Sequence, residues 1–261
     1  MPTVTQHTVG TFSWPECYTP DPAGTKSFYS SLFGWTWNEF PMGDMGTYYI
    51  AQLRGSDVAA MCSLTPEMSA NGVPPNWGSY VTVENADDSA KKAEVLGGKI
   101  LMQPFDVMDH GRMAVIMDPI GATFSLWQAK QSIGAHMLNE PGSLGWTQLN
   151  ASDPAKAKPF YTALFGWTAK DDPMPGDGST YTSFMKSDGP AGGMLAMPPG
   201  AQGMPSHWLV YWTVTDMAAA HAKAESLGAK TFVPPTDVPG MVTFAVMQDP
   251  QGVIFALVKF L

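Results

Sequence analysis

The sequence predicts an α+β fold of two similar halves, in which short strands surround two helices in each half. Three observations predict it. Blocks of sequence recur in the same order about 131 residues apart. Short runs that alternate between apolar and polar residues are typical of half-buried strands. Four helices with recognisable caps lie among these runs, which favours α+β over a doubly wound parallel sheet.

The repeat is clearest at the first helix of each half. The run FYSSLFGW at residues 28–35 recurs as FYTALFGW at residues 160–167, an offset of 132. Two further blocks recur at an offset of 131, pairing residues 77–97 with 208–228 and residues 118–121 with 249–252. Three blocks in one order indicate an internal duplication. We therefore expect two domains, at 1–135 and 140–261.

The first helix of each half has the same predicted caps. Asp21 is the expected N-cap, because its carboxylate accepts from amides of the first turn, and Pro22 suits the first helical position. Apolar residues follow at helical spacing, and Gly34 suits the left-handed residue that ends a helix. The equivalent residues of the second half are Asp153, Pro154 and Gly166. Pro159 lies deep in that helix, where we expect a kink or a short first turn.

A second helix in each half follows a different cap. Asp87 is predicted to begin a helix that Gly97 ends, and Asp216 and Gly228 take these roles in the second half. The predicted strands are 10–18, 48–53, 58–63, 78–83, 113–117, 123–128, 145–150, 181–186, 192–197, 209–214, 242–247 and 254–259. Each half therefore contains the pattern of a strand, a helix and further strands twice, which gives four such units.

The composition is acidic and argues against partners that carry negative charge. The chain has 261 residues, a net charge of −9 and only 14 Lys and Arg residues, so we expect no binding to nucleic acid or to an anionic membrane. The start of the sequence lacks the pattern of a signal peptide, and no apolar run approaches the roughly 20 residues that span a bilayer. We therefore expect a cytoplasmic protein. Cys17 and Cys62 are expected to be free thiols, with one disulfide as the alternative.

Together, these blocks resemble a known superfamily. The Asp-Pro start of the first helix with Phe-Tyr and Gly-Trp further on, the Leu-Gly helix end and the Asp-Pro-x-Gly before the last strand are similar to the vicinal oxygen chelate superfamily. It includes glyoxalase I, extradiol dioxygenases and bleomycin-resistance proteins, and the chain most resembles a bacterial subgroup of tandem glyoxalase-like proteins. The resemblance implies four βαβββ modules, paired into two curved mixed sheets with cup-shaped cavities. It is weak evidence for any one reaction, because this fold hosts several.

The resemblance also implies four strand positions at which the enzymes of the superfamily hold a divalent metal through His and carboxylate side chains. The residues at three of them are Trp14, Gly78 and Ser125 in the first half, and Trp146, Leu209 and Ala256 in the second. The fourth position falls within 58–63 or 192–197, and neither stretch contains Asp, Glu or His. We therefore expect no metal at the inherited site and predict no cofactor. A relocated site that uses Glu16, His110 or His207 stays open.

Alternation along the strands predicts which residues line each cup. The residues expected in the first cup are Trp14, Glu16, Tyr80, Ser125 and Trp127, with Arg112 at its mouth. Those expected in the second cup are Trp146, Gln148, His207 and Tyr211. A buried carboxylate is costly unless it is paired, so Glu16 favours a ligand pocket over a plain core. The alternative, that the aromatic side chains simply fill the cups, stays open.

Three functions are compatible with these patterns. The first is a protein that binds a small apolar or aromatic molecule without the metal of the superfamily. The second is a lyase or isomerase of the glyoxalase type, with Glu16 as a catalytic general base or with Zn²⁺, Ni²⁺ or Mn²⁺ at a relocated site. The third is an interaction protein whose tandem domains form a stable surface. The sequence favours the first function and the first cup, in a monomer or a homodimer.

Overall fold

The fold has sixteen strands and five helices in the part of the chain that the computed structural model describes, residues 3–43, 46–174, 178–197, 201 and 204–261. The first half contains β1 (Phe12–Thr19), α1 (Pro22–Phe33), β2 (Thr36–Pro41), β3 (Thr47–Leu53), β4 (Ser56–Ser63), α2 (Pro66–Ala70), β5 (Asn76–Thr82), α3 (Ala86–Val95), β6 (Lys99–Val107), β7 (Gly111–Met117) and β8 (Thr123–Ala129). The second half contains β9 (Leu144–Ala151), α4 (Pro154–Phe165), β10 (Thr168–Pro173), β11 (Thr180–Lys186), β12 (Gly189–Ala196), β13 (His207–Thr213), α5 (Met217–Ser226), β14 (Lys230–Val238), β15 (Val242–Gln248) and β16 (Ile254–Phe260).

Each half forms its own eight-stranded mixed sheet. The strand order is β2-β3-β4-β1-β5-β8-β7-β6 in the first sheet and β10-β11-β12-β9-β13-β16-β15-β14 in the second. Two βαβββ units meet at a central antiparallel pair, which is β1 with β5 or β9 with β13. The predicted α+β fold of four such units in tandem is confirmed. The boundaries at 135 and 140 stay a prediction, although β8 ends before them and β9 begins after them.

The caps explain where the main helices begin. The side chains of three predicted N-caps accept from backbone amides, namely those of Asp21, Asp153 and Asp216. In α3 the prediction was wrong by two residues, because Asn85 rather than Asp87 accepts from the amide of Asp88. The side chain of Asn85 satisfies a free amide of the first turn as an Asp would, so Asp87 lies within the first turn of the helix rather than before it. Helix α4 continues through Pro159 as one element.

The sequence missed four strands, and all four lie at sheet edges. β2, β6, β10 and β14 are the outermost strands, and most of their residues are exposed. Because such strands bury little surface, they lack the alternation of apolar and polar residues that predicts a strand. β14 also contains Pro234 and Pro235, which an edge strand tolerates because it has unpaired backbone groups on one side.

The two halves share one hydrophobic core on the faces of the sheets that lie opposite the cups. Helix α1 packs against α5, α3 against α4, and strand β5 against β13. One cluster of buried side chains contains residues of both halves. At its centre, the ring centroids of Trp35 and Trp212 are 4.9 Å apart in an edge-to-face arrangement. The shared core fixes the sheets back to back, so their concave faces point outward.

Two buried hydrogen-bond chains link the halves in a reciprocal way. Trp77 Nε1 donates to the Tyr29 hydroxyl at 2.9 Å, and this hydroxyl donates to Asp249 Oδ2 of the other half at 3.2 Å. The equivalent chain connects Trp208, Tyr161 and Asp118. Each half therefore contains a buried carboxylate that a tyrosine of the other half holds. These contacts explain why the Tyr of the first helix and the Asp before the last strand both belong to the repeated blocks.

Both cysteines are free thiols, as the sequence predicts. Cys17 is completely buried in the core, and Cys62 is partly buried on the neighbouring strand. Among the described residues, no helix is long and apolar enough to cross a membrane.

Candidate functional site

Alternation along the central strand β1 defines the concave face of the first sheet, which we call the first cup. Cys17 is on the core side, whereas Trp14, Glu16 and Tyr18 lie on the concave side. Tyr80 is the cross-strand partner of Trp14 and therefore shares its face. The structure brings five of the predicted residues onto this one surface: Trp14, Glu16, Tyr80, Ser125 and Trp127.

Glu16 is the centre of a hydrogen-bond cluster on the floor of the first cup. The residue is 7% exposed, its Oε2 accepts from the Tyr48 hydroxyl at 2.6 Å, and its Oε1 accepts from the Tyr80 hydroxyl at 3.0 Å. The Tyr18 hydroxyl lies 3.4 Å from that of Tyr80, and Trp14 Nε1 donates to the Tyr48 hydroxyl at 3.2 Å. These five residues, the Glu16 cluster, place one carboxylate among aromatic side chains of three strands.

The tyrosine hydroxyls of the Glu16 cluster stay protonated and can donate. Burial, followed by the charge of Glu16, raises the pKa of Tyr18, Tyr48 and Tyr80 well above the ordinary value. Hydrogen bonds from such hydroxyls to a carboxylate are charge-assisted and stronger than those between neutral groups. A carboxylate has about four lone-pair sites, so each oxygen can still accept one further donor from the cup.

Apolar side chains form the wall beside the Glu16 cluster. The wall consists of Tyr80, Met113 and Trp127, with Trp14, Val107 and Val115 packed against them. The ring centroids of Tyr80 and Trp127 are 6.3 Å apart in an edge-to-face arrangement. The Tyr80 hydroxyl reaches both Glu16 and the sulfur of Met113, the latter at 4.0 Å. The polar floor and the apolar wall are therefore continuous.

The rim of the first cup exposes three large apolar side chains. Phe40 pairs with Tyr48 across strands, and Met102 and Phe105 pair with two residues of the wall, so all three lie on the concave side. Phe40 is 47%, Met102 48% and Phe105 40% exposed. Phe40 lies on the edge strand β2 and the other two on the opposite edge strand β6, so exposed apolar side chains border the cup at both edges of the sheet.

Arg112 lies outside the first cup, so its predicted placement was wrong. It neighbours Met113 in β7 and therefore faces the opposite side of the sheet. Its guanidinium donates to both carboxylate oxygens of Asp87, at 2.6 and 2.9 Å, and to the carbonyl of Pro104 at 3.1 Å. The predicted strand begins at residue 113, whereas the observed strand already begins at Gly111 and includes Arg112.

The concave face of the second sheet, the second cup, repeats the geometry of the first. Gln148 occupies the register position of Glu16 on the first strand of its half. Trp146 Nε1 donates to the Tyr181 hydroxyl at 2.8 Å, which matches the contact between Trp14 and Tyr48. The wall of this cup consists of Leu209, Tyr211, Ala256 and Val258, with Trp146, Val242, Phe244, Val246 and Ile254 packed against them.

The floor of the second cup presents amides and an imidazole where the first cup has a carboxylate. Gln148 donates to Asn150 Oδ1 at 2.9 Å, and Asn150 Nδ2 lies 3.0 Å from His207 Nε2. His207 Nδ1 lies 3.0 Å from the Pro205 carbonyl, which fits the tautomer with its proton on Nδ1. The predicted residues Gln148 and His207 therefore share one surface with Trp146, but the two cups differ in charge.

The first cup does not offer a ligand set for a divalent transition metal. Zn²⁺, Ni²⁺ and Mn²⁺ need several His, Cys or carboxylate ligands. On the central strands, Glu16 lies between Ala60 and Gly78, and Tyr80 lies beside Ser125. Within the described ranges, no group of three or more His, Cys, Asp and Glu residues is close enough to hold a metal. The residues present do not fit the metal of the superfamily's enzymes.

Two residues of the Glu16 cluster were not predicted from the sequence. Tyr18 follows Glu16 by two positions in β1, so alternation was a sufficient signal to place it in the cup. Tyr48 lies in β3, and β4 separates β3 from β1 in the sheet. No spacing in the sequence shows that its hydroxyl reaches across β4 to Glu16.

The chain belongs to the Glyoxalase/Bleomycin resistance protein/Dioxygenase superfamily. The profile of this family matches residues 7–126 and 143–257, once in each half. The resemblance that the sequence motifs suggest is therefore confirmed, together with the tandem arrangement.

Similar proteins extend over the whole chain. A Mycobacterium tuberculosis protein named "Putative glyoxylase CFP32" is 39% identical over 260 residues, 99% of this chain and 98% of that protein. The "Anthracycline biosynthesis protein DnrV" of Streptomyces peucetius is 31% identical over 266 residues, which cover 98% of this chain and 95% of that protein. The crystal structure of the Mn(II)-bound glyoxalase from Novosphingobium aromaticivorans has a TM-score of 0.65, with 14% identity, over 96% of this chain and 82% of that chain. The last likeness concerns the fold alone.

Proposed function

We propose that the protein binds a small apolar or aromatic molecule in the first cup, without the metal of the superfamily's enzymes. The observation that carries this proposal is the Glu16 cluster, a carboxylate held by two tyrosine hydroxyls among partly exposed aromatic side chains on the floor of the cup. A carboxylate is costly to desolvate unless it has partners, so its presence among the aromatic side chains of the cup favours a ligand site over a plain apolar filling. Aromatic walls with a few convergent polar groups are typical of ligand sites.

The exposed rim supports the same proposal. Met102 and Phe105 on one edge of the sheet, or Phe40 on the other, would lose water-exposed apolar surface when a ligand covers them, and such burial stabilises a complex by roughly 25 cal/mol per Å². The second cup, with Gln148 and His207 on its floor, is proposed as a site of different preference. Its floor carries no buried charge, because the neutral Gln148 occupies the position of Glu16.

The proposal can be tested with N-phenyl-1-naphthylamine, a neutral aromatic fluorophore whose emission rises in an apolar site. We expect a saturable rise in emission, and Trp14→Ala should weaken the affinity by roughly tenfold, because the partly exposed indole contributes apolar contact. Arg112→Met is the matched control, since this side chain lies on the other face of the sheet. Lack of saturable binding, or an equal loss in both variants, would contradict the proposal.

Independence from metal is tested separately. The purified protein should contain less than stoichiometric Zn, Ni or Mn by elemental analysis, and EDTA should leave the binding of the fluorophore unchanged. A stoichiometric metal whose removal abolishes binding would show that the site relies on ligands other than those described in the first cup.

The alternative is a lyase or isomerase of the glyoxalase type that uses Glu16 to accept a proton. It is supported by the 39% identity to the protein named as a glyoxylase and by the position of the carboxylate on the cup floor. Measurement of hemithioacetal turnover, with and without added Zn²⁺, Ni²⁺ or Mn²⁺, tests it. Activity that Glu16→Gln abolishes would favour this alternative, and a lack of turnover under all conditions would exclude it.

A further inference from the structure

We propose that the ligand of the first cup carries a cationic amine, which binds against Glu16 while an apolar or aromatic body covers the wall and rim. This inference rests on the proposed function of the cup and specifies the class of molecule that it recognises. It follows from three features of the site: an uncompensated buried charge, its aromatic surroundings, and an adjacent apolar surface of defined length.

The charge of Glu16 has no cationic partner in the described part of the chain. The ion pairs between described residues all lie elsewhere, and Glu16 belongs to none of them. Among the described residues, the hydroxyls of Tyr48 and Tyr80 donate to its two oxygens, and both hydroxyls are neutral. A carboxylate that is 7% exposed has lost most of its hydration, and a positive charge offsets that loss more strongly than neutral hydroxyls do. A ligand cation would provide it, whereas a ligand anion would add repulsion.

The side chains around Glu16 also favour a cation. Trp14, Tyr18 and Tyr48 are partly exposed and together with Tyr80 surround the carboxylate. Aromatic rings attract ammonium groups through their negative faces, by about 0.5–1 kcal/mol at exposed sites and about 2 kcal/mol when desolvated. A carboxylate among several rings therefore has the composition of a site for a substituted ammonium group.

The apolar wall sets the size of the remainder of the ligand. Tyr80 in β5 connects Glu16 with Met113 in β7, and β8 lies between these two strands. The Tyr80 hydroxyl lies 3.0 Å from Glu16 Oε1 and 4.0 Å from the sulfur of Met113, so the carboxylate oxygen and the sulfur are at most about 7 Å apart. A two-ring aromatic system spans this length, and the exposed Phe105 and Met102 lie beyond it at the rim.

The second cup isolates the contribution of the charge within the same chain. It repeats the contact between a tryptophan and a tyrosine with Trp146 and Tyr181, but Gln148 replaces Glu16. Gln therefore fits this position of the fold, and Glu16→Gln is expected to remove the charge without loss of folding. With this substitution the floor of the first cup resembles the floor of the second, so a cation should lose its preference for the first cup.

The experiment compares three probes by isothermal titration calorimetry with the full-length protein. They are (2-naphthylmethyl)trimethylammonium, its neutral carbon isostere 2-neopentylnaphthalene, and the anion 2-naphthylacetate. We expect the cation to bind at least about tenfold more tightly than the isostere, and the anion to bind more weakly than both. Glu16→Gln should weaken the binding of the cation about 10- to 100-fold, because it removes the attraction between two opposite charges, and should leave the binding of the isostere unchanged.

Glu94→Gln is the matched control, because it removes the same charge from an exposed helix position outside the cup. It should change none of the affinities. Equal binding of cation and isostere by the wild type would overturn the inference and leave the proposed function standing. If none of the three probes binds, the inference and the proposed function both fail. The comparison of cation with isostere uses the wild type alone, so it stands even where Glu16→Gln does not fold.

Discussion

Replacement of Asp249 by Asn tests the reciprocal hydrogen-bond chains between the halves. Asp249 is 3% exposed, its Oδ1 accepts from the amides of Gln251 and Val253, both at 2.9 Å, and its Oδ2 accepts from Tyr29 of the first half. Asn retains an oxygen for the two amides and has nearly the same shape. The substitution therefore removes the titratable carboxyl group and leaves most of the packing in place.

The expected magnitude follows from the pKa of this carboxyl group. Desolvation outweighs the hydrogen bonds and raises the pKa of Asp249 from 3.8 to about 6. The folded protein then binds the proton more tightly than the unfolded chain does, so this group's contribution to stability is complete below about pH 4 and is lost as the pH rises through about 6. A difference of about two pH units, at about 1.4 kcal/mol each, gives about 3 kcal/mol.

The assay is the free energy of unfolding by urea at a series of pH values. The stability of Asp249→Asn relative to the wild type should rise by about 3 kcal/mol between about pH 4 and pH 7.5. Comparison at each pH is essential, because burial lowers the pKa of His7 and gives the wild type a slope of opposite sign. This contribution cancels in the difference. A difference that does not change with pH would refute the reasoning.

Tyr29→Phe is the complementary control. It keeps the carboxyl group but removes a hydrogen bond that lowers the pKa of Asp249. The loss of stability with rising pH should become larger than in the wild type. Stability at neutral pH should fall by about 1–3 kcal/mol, because the buried Trp77 Nε1 also loses its acceptor.

Two further predictions concern the thiols and the glycines. Burial raises the pKa of Cys17 and Cys62, so neither thiol should react quickly with a chromogenic aromatic disulfide at about pH 8; a fast-reacting thiol in the native protein would contradict this. Gly134→Ala should lower the free energy of unfolding by about 3 kcal/mol, because φ is +98° and the new Cβ would lie 2.6 Å from the Ser13 carbonyl oxygen. Gly166→Ala should lower it by only about 1–2 kcal/mol, because φ is +71° but no atom lies within 4 Å of the new Cβ. An equal loss of the free energy of unfolding by urea in the two glycine variants would contradict the steric explanation.

Local patterns were sufficient for the elements that bury one face. The N-caps at Asp21 and Asp153 and the central strands of both sheets are where the sequence predicts them, because capping and alternation depend on residues only a few positions apart. The edge strands β2, β6, β10 and β14 escaped prediction for the opposite reason, since most of their side chains are exposed and they show little of this pattern.

The sequence by itself determined the duplication, the α+β class and the assignment of Trp14 and Glu16 to one face, since each depends on repetition or on a period of two. Only the tertiary structure decided the partners of these residues. Tyr48 reaches Glu16 across an intervening strand, and Arg112 turns away to Asp87. Such contacts join residues far apart in the chain, and they depend on strand order and register, which no local spacing encodes.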